Sequence, residues 1–317
     1  MQASSRNFLK ACLAGWAVLI AAAVVYARRY DVAPSIAIPV VAAVLIEFIF
    51  YLATGFEEIR KFFTPPWIVA SALLPYLVYT IPTHRFEPLP FVVLATIAAA
   101  IAYWFVVLPH VWWSDLGFVA FAAAVLLSGV LKHFIYPMPA RHVPVDVVPG
   151  HATLIHIAVM SALVVRKFPG INYGFIPTRR EVLAGVRNFV YFLPFGAALG
   201  VLLQIFKYRG QSPWLAPVLF VGYFWMVALS EEFAFRGVIQ QTLVRIMSNG
   251  HVALVLSSIA FGFVHLWFPG GFPNWRMMIV GSVAGWFYGR AFEQGGGIRA
   301  SMVTHALTVT VWLIWLA

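Results

Sequence analysis

WLAPVLFVGYFWMVALSEEFAFR, residues 214–236, decides how this chain is read. An almost unbroken apolar run from Trp214 ends in two adjacent carboxylates, Glu231 and Glu232, and Arg236 follows one helical turn later. Each acid at membrane depth costs about 2.5–3.5 kcal/mol on insertion scales, so an ionisable residue placed there is read first as a functional site. On one helix Glu232 and Arg236 stand at i, i+4 with the acid N-terminal, the favourable order for a pair. Glu231 points about 100° away around the helix and has no local partner. This makes Glu231 the candidate for chemistry and Glu232 the candidate for structure. A buried ion pair that only braces the bundle would leave Glu231 unexplained.

The composition extends that reading to the whole chain. Of 317 residues, 62% are hydrophobic and only 10% charged, with a mean hydropathy of +0.88. Apolar runs of near-spanning length recur throughout, which predicts an all-α polytopic transmembrane bundle of about ten or eleven spans. They fall at 11–27, 34–54, 66–82, 91–108, 116–131, 150–165, 187–206, 213–230 with a continuation to 247, 251–268, 276–292 and 298–317. The net charge of +10 is spread through short loops, so it reads as topology signals and contacts with anionic lipid, not as a nucleic-acid surface. More of these basic residues fall on the N-terminal side, which favours an inside N-terminus. Arg28-Arg29 directly after the first run, and Val24-Val25-Tyr26 as a poor small-residue cleavage site, argue for an uncleaved first span. Cys12 is the only cysteine, so neither an internal disulfide nor a cysteine metal site is available. The charged, Pro- and Gly-containing stretch 166–186 divides an N-terminal membrane region, 1–165, from a C-terminal region, 187–317, that holds the candidate chemistry.

Further polar residues stand in the apolar runs. His265 closes Phe261-Gly262-Phe263-Val264-His265. If 213–247 and 251–268 form an antiparallel hairpin about Ser248, His265 and Glu231 are equally far from the turn and share one depth. A single straight span over 213–247 is too long at 1.5 Å per residue, so a break near Pro217 or an amphipathic extension from Gln240 to Arg245 is expected. His305 lies in the last run, and counting from the Gly295–Gly297 turn places it about two turns shallower than His265. Taken alone, either histidine could be a hydrogen-bonded core residue. Gly281, Gly285 and Gly289 form a small-xxx-small ridge for close helix approach, with a shorter version at Gly196 and Gly200. Glu47 is isolated in its run and reads as a hydrogen-bonded structural acid. His142, Asp146, His151 and His156 cluster in and after a loop and read as surface or interfacial. There is no His-Glu-x-x-His zinc helix, no Gly-x-Ser-x-Gly elbow and no phosphate-binding glycine loop.

Glu231-Glu232-x-x-x-Arg236, Phe261-x-x-x-His265, the glycine-rich run and His305, in that order on separate apolar runs, resemble the CAAX protease and bacteriocin-processing (Abi) family of intramembrane proteases over about residues 180–317. The resemblance implies peptide-bond hydrolysis in a membrane, CAAX-type processing in some members and bacteriocin processing or immunity in others. It implies that Glu231 activates the attacking water, His265 holds and polarises it, Glu232 and Arg236 set the geometry, and His305 donates to the oxyanion. The implied partners are membrane lipid and a peptide or protein substrate, lipidated in the CAAX case, and the implied location is a prokaryotic inner membrane. The family has been described both as metal-dependent and as metal-free. In the first case zinc would be held by Glu231, His265 and His305; in the second there is no cofactor. Where the family commonly has a polar residue four positions after the last histidine, this chain has Val309. That departure keeps a non-catalytic scaffold or immunity-type protein as the alternative. A proton- or ion-coupled transporter, in which Glu47 would matter as much as Glu231, ranks third.

Overall fold

The structure is a computed structural model that describes residues 2–140, 142, 143, 145–206, 210–268 and 271–316, the side chains of 2, 3 and 146–148 excepted. The chain forms two compact units, Met1–Lys167 and Phe168–Ala317. Both are helical, and the described residues contain no strand. The first unit holds α1 (Gln2–Arg29), α2 (Pro34–Ala53), α3 (Pro65–Thr80), α4 (Pro88–Val107), α5 (Trp112–Leu127) and α6 (Pro149–Arg166). The second holds α7 (Arg179–Leu202), α8 (Pro213–Met247), α9 (Gly250–Trp267), α10 (Trp275–Gly295) and α11 (Ile298–Leu316).

Each of the eleven apolar runs overlies one of these helices. Among the described residues eight are long and apolar enough to cross a membrane, namely all but α3, α5 and α10. The count is below ten or eleven because α3 and α5 have only 16 residues, while α10 carries Arg276, Arg290 and Glu293. The fold class is that of a polytopic helical bundle.

Local chemistry sets the helix ends. Proline opens α2, α3 and α4, where its missing N–H costs nothing. Thr178 and Glu181 form a capping box at the start of α7, so this helix begins at Arg179, inside the stretch expected to be a connection. Asn249 Oδ1 accepts from the amides of His251 and Val252 at 3.0 and 3.2 Å and caps α9. Asn274 Oδ1 does the same for α10 through Met277 N at 3.1 Å. Gly296, at φ 83°, ends α10 in the left-handed conformation that costs glycine least.

α8 spans 35 residues, about 50 Å at helical rise, and has no break at Pro217, which sits in a first helical turn. Its length is absorbed at the far end, where residues 245–247 are exposed, and by two wide-turn π-helical stretches, Tyr223–Ala228 and Phe233–Gln240. In the second unit α10 packs against α7, α9 and α11, and α8 packs against α9 and α11.

The glycine ridge of α10 faces α9. A Cβ on Gly285 would lie 3.2 Å from Ser258 Cα and from its carbonyl oxygen, and one on Gly281 would lie 3.0 Å from the His265 ring. Gly196 and Gly200 differ: their nearest neighbours are Phe192 and Phe206, close in sequence, so they make no helix–helix seam. Because Gly285 meets backbone, which cannot swing aside, Gly285→Val should destabilise the protein by about 1–3 kcal/mol, read as a lowered melting temperature in detergent.

Candidate active site

The π-helical stretches of α8 flank one short α-helical segment, Leu229–Glu232. Wide turns of this kind often mark functional positions. Glu232 and Arg236 are both fully buried. Glu232 Oε2 lies 3.1 Å from Arg236 Nε, an ion-pair contact without hydrogen-bond alignment, since both atoms lack an aligned partner. The guanidinium is anchored elsewhere. Its Nη2 donates to the Gly285 carbonyl at 2.7 Å, and its carbon lies 4.7 Å from the Phe261 ring centroid and 5.6 Å from that of Tyr288. Aromatic faces attract a desolvated cation, so Arg236 is fixed by one hydrogen bond, one carboxylate and two rings.

The second partner of Glu232 comes from α11. His305 Nδ1 lies 2.8 Å from Glu232 Oε1. The carboxylate can only accept, so Nδ1 carries the proton of that bond. The other ring nitrogen, Nε2, faces Glu231 Oε2 at 3.8 Å, beyond a direct hydrogen bond and within reach of a bridging water. The ring is stacked on Tyr288 at 4.7 Å and 18° and meets Phe261 edge-on at 5.7 Å. Glu231, by contrast, keeps 35% of its side-chain surface exposed. The adjacent acids are therefore in opposite situations: Glu232 is spent on two partners, and Glu231 is open.

His265 ends the α-helical part of α9. Its Nδ1 lies 2.9 Å from the Phe261 carbonyl. A carbonyl only accepts, so this nitrogen is protonated too, and Nε2 is left with a free lone pair. The ring packs on Phe261 at 4.9 Å and stacks on Phe268 at 5.6 Å. It is close enough to Glu231, His305 and Arg236 to feel their charges.

All five residues read from the sequence thus gather around the Phe261 ring and the end of Leu229–Glu232. His265 and His305 both lie against the Phe261 ring, at 4.9 and 5.7 Å. α11 starts inside the unit. Ile298 and Ala300 have no exposed surface, the Ile298 amide bonds the Ile171 carbonyl at 3.1 Å, and Arg299 Nε bonds Glu181 Oε1 at 2.9 Å. Tyr288 was missed, although it lies on the glycine ridge; its sequence signal was that of packing alone. Thr308, near Tyr288, donates to the Thr304 carbonyl at 2.9 Å. Val309 brings no polar atom to the turn after His305.

A shared zinc ion does not fit this arrangement. Among the described residues no three His, Cys, Asp or Glu side chains are grouped to hold a metal ion. An open apolar groove of about 410 Å³ between α7, α9 and α10, lined by Phe195, Ile259 and Trp286 among others, backs onto the site and does not contain it.

A buried carboxylate–arginine–histidine cluster with one accessible carboxylate is set in the second unit of a polytopic helical membrane protein. Residues 211–311 match the family described as type II CAAX prenyl endopeptidase Rce1-like, so the resemblance read from the sequence is borne out over that stretch. Searches of curated proteins and of solved structures find no match.

Removing Arg236 should leave Glu232 buried with one partner, and breaking such a pair costs about 3–5 kcal/mol. Arg236→Leu is expected to melt well below wild type. Arg236→Leu combined with Glu232→Gln should recover part of the loss; equal melting of the single and double variants would contradict the pairing.

Proposed function

We propose that the protein is an intramembrane endopeptidase that hydrolyses a peptide bond of a membrane-associated substrate, with a prenylated C-terminal CAAX sequence as the substrate class. The observation that carries this reading is the split between the acids. Glu232 is closed by Arg236 and His305, while Glu231 is open and faces His305 Nε2 at 3.8 Å.

Amide hydrolysis needs an activated water and a donor for the developing oxyanion. Glu231 takes a proton from the attacking water, and His265 Nε2, whose lone pair is free, holds that water by accepting its other proton. As the tetrahedral centre forms, His305, held at Nδ1 by Glu232, donates from Nε2 to the oxyanion. Arg236 holds Glu232 in place. On collapse Glu231 returns its proton to the leaving amine. Glu232 and Arg236 are positioning residues here; Glu231, His265 and His305 touch the reacting atoms.

The second reading, a non-catalytic scaffold, has Val309 in its favour, because an oxyanion donor typically contributes about 10²–10³ in rate. Cleavage of farnesylated CAAX peptides in proteoliposomes separates the two. Glu231→Gln should lower the rate by about 10²–10⁴, the usual worth of a general base, with the melting temperature nearly unchanged because the side chain is partly exposed. Val309→Asn should raise the rate. Loss of the cellular role in Gly285→Leu but not in Glu231→Ala would favour the scaffold.

A further inference from the structure

The first unit contains a second buried polar cluster that takes no part in the proposed reaction. Glu47 on α2, Ser71 on α3, and Thr153 and His156 on α6 are all essentially without exposed surface. His156 Nδ1 lies 2.6 Å from Glu47 Oε1, and Thr153 donates to Glu47 Oε2 at 2.7 Å. His156 Nε2 lies 2.9 Å from Ser71 Oγ. Glu47 is thus the hydrogen-bonded acid expected from the sequence, while His156 is a core residue, not an interfacial one. His142 is exposed and stacks on Tyr30, and the Asp146 side chain lies outside the described residues.

Carboxylate, imidazole and hydroxyl in that order have the spacing of a nucleophile triad. The burial argues against a nucleophile, because Ser71 has 2% of its surface exposed. The Ser71 hydroxyl also donates to the Ile68 carbonyl at 2.8 Å. With its proton on that carbonyl, Ser71 Oγ accepts at 2.9 Å from His156 Nε2, and this direction is the premise of the proposal. The Thr153 hydroxyl proton is likewise spent on Glu47. One further proton then lies in the short Glu47–His156 contact. Written as carboxylate and imidazolium, or as carboxylic acid and imidazole, the cluster is neutral and every hydrogen bond is made. Without that proton it carries one negative charge in the interior of a helical bundle.

No positive charge among the described neighbours faces the cluster, although the buried Tyr136 hydroxyl makes no hydrogen bond of its own. Tyr136, buried beside Thr153 and Glu47, and Tyr76 and Tyr79 of α3, packed against Tyr136, are neutral phenols. From α5 and the end of α6 come Asp115 and Arg166, joined by two hydrogen bonds of 2.8 and 3.0 Å. The thiol of Cys12 lies on α1, and Arg60, beyond α2, donates to the Thr54 carbonyl. His151, half-buried at the start of α6, is the remaining titratable side chain on that helix.

We propose that Glu47, His156, Ser71 and Thr153 form a proton-binding site that holds one proton in the folded protein at neutral pH and, through it, clamps α2, α3 and α6 together. The proposal concerns the first unit and does not rest on the peptidase reading.

A site that binds a proton in the folded state and not in the unfolded state makes stability fall as pH rises through its release. The test is the melting temperature of the purified full-length protein in detergent between about pH 5 and pH 10, a range covering histidine titration. The wild type should lose stability with rising pH beyond the loss seen in Glu47→Gln, which has no proton to release; titrations elsewhere are common to both and cancel in the difference. Parallel profiles would overturn the proposal. Nitrogen-15 histidine NMR gives a second readout that does not need Glu47→Gln to fold. At neutral pH one ring protonated at Nε2 and hydrogen-bonded through Nδ1 to Glu47 should be present in wild type and missing in His156→Gln. A His156 signal with an unprotonated Nε2 would equally overturn it.

Discussion

Glu232 has to be buried, and a carboxylate buried in a helical bundle has to be neutralised. It meets that requirement from two sides, through Arg236 on its own helix and His305 on the last one. The rest of the second unit follows from that double tie. Arg236 reaches the Gly285 carbonyl only because α10 can come close, and α10 can come close only because its ridge toward α9 has no side chains. His305 meets Glu232 only because α11 begins deep in the unit. The Phe261 and Tyr288 rings fill the space between these groups and give the guanidinium and the imidazoles faces to lie against, so the aromatic core and the polar cluster form one packing problem.

What was legible in the sequence was whatever depends on near neighbours. The eleven apolar runs are all helices. Glu232 and Arg236 were paired from their spacing, and the opposite fates of Glu231 and Glu232 followed from helical periodicity. What was not legible depends on where distant segments meet. Glu47 looked isolated because its partner His156 lies 109 positions away. The cover that residues 171, 172 and 181 place over the turn before α11 is likewise set by distant segments. Tyr288 gave no signal, since an aromatic residue on a glycine-rich face is ordinary packing until an arginine is seen above it.

The two units solve the same electrostatic problem to different degrees. In each a glutamate buried in a helical bundle is bound by the Nδ1 of a histidine, at 2.6 Å for Glu47 and 2.8 Å for Glu232. The first unit then closes every remaining valence with hydroxyl groups. The second adds one acid beyond what its partners can satisfy and leaves it accessible. A protein does not keep an unsatisfied intramembrane carboxylate at no cost, and that surplus is what distinguishes the second cluster as a place for chemistry.

The buried start of α11 bears on how the chain is put together during synthesis. The socket that receives Ile298–Ala306 is built from Ile171, Asn172, Glu181, Gly185 and the face of α10, all made earlier in the chain. The last helix therefore arrives as a plug into a nearly finished cup, carrying His305. Until it docks, Glu232 has only Arg236. The site is complete only when that helix has been made and has docked, so a chain that lacks it holds the acids without the histidine that joins them.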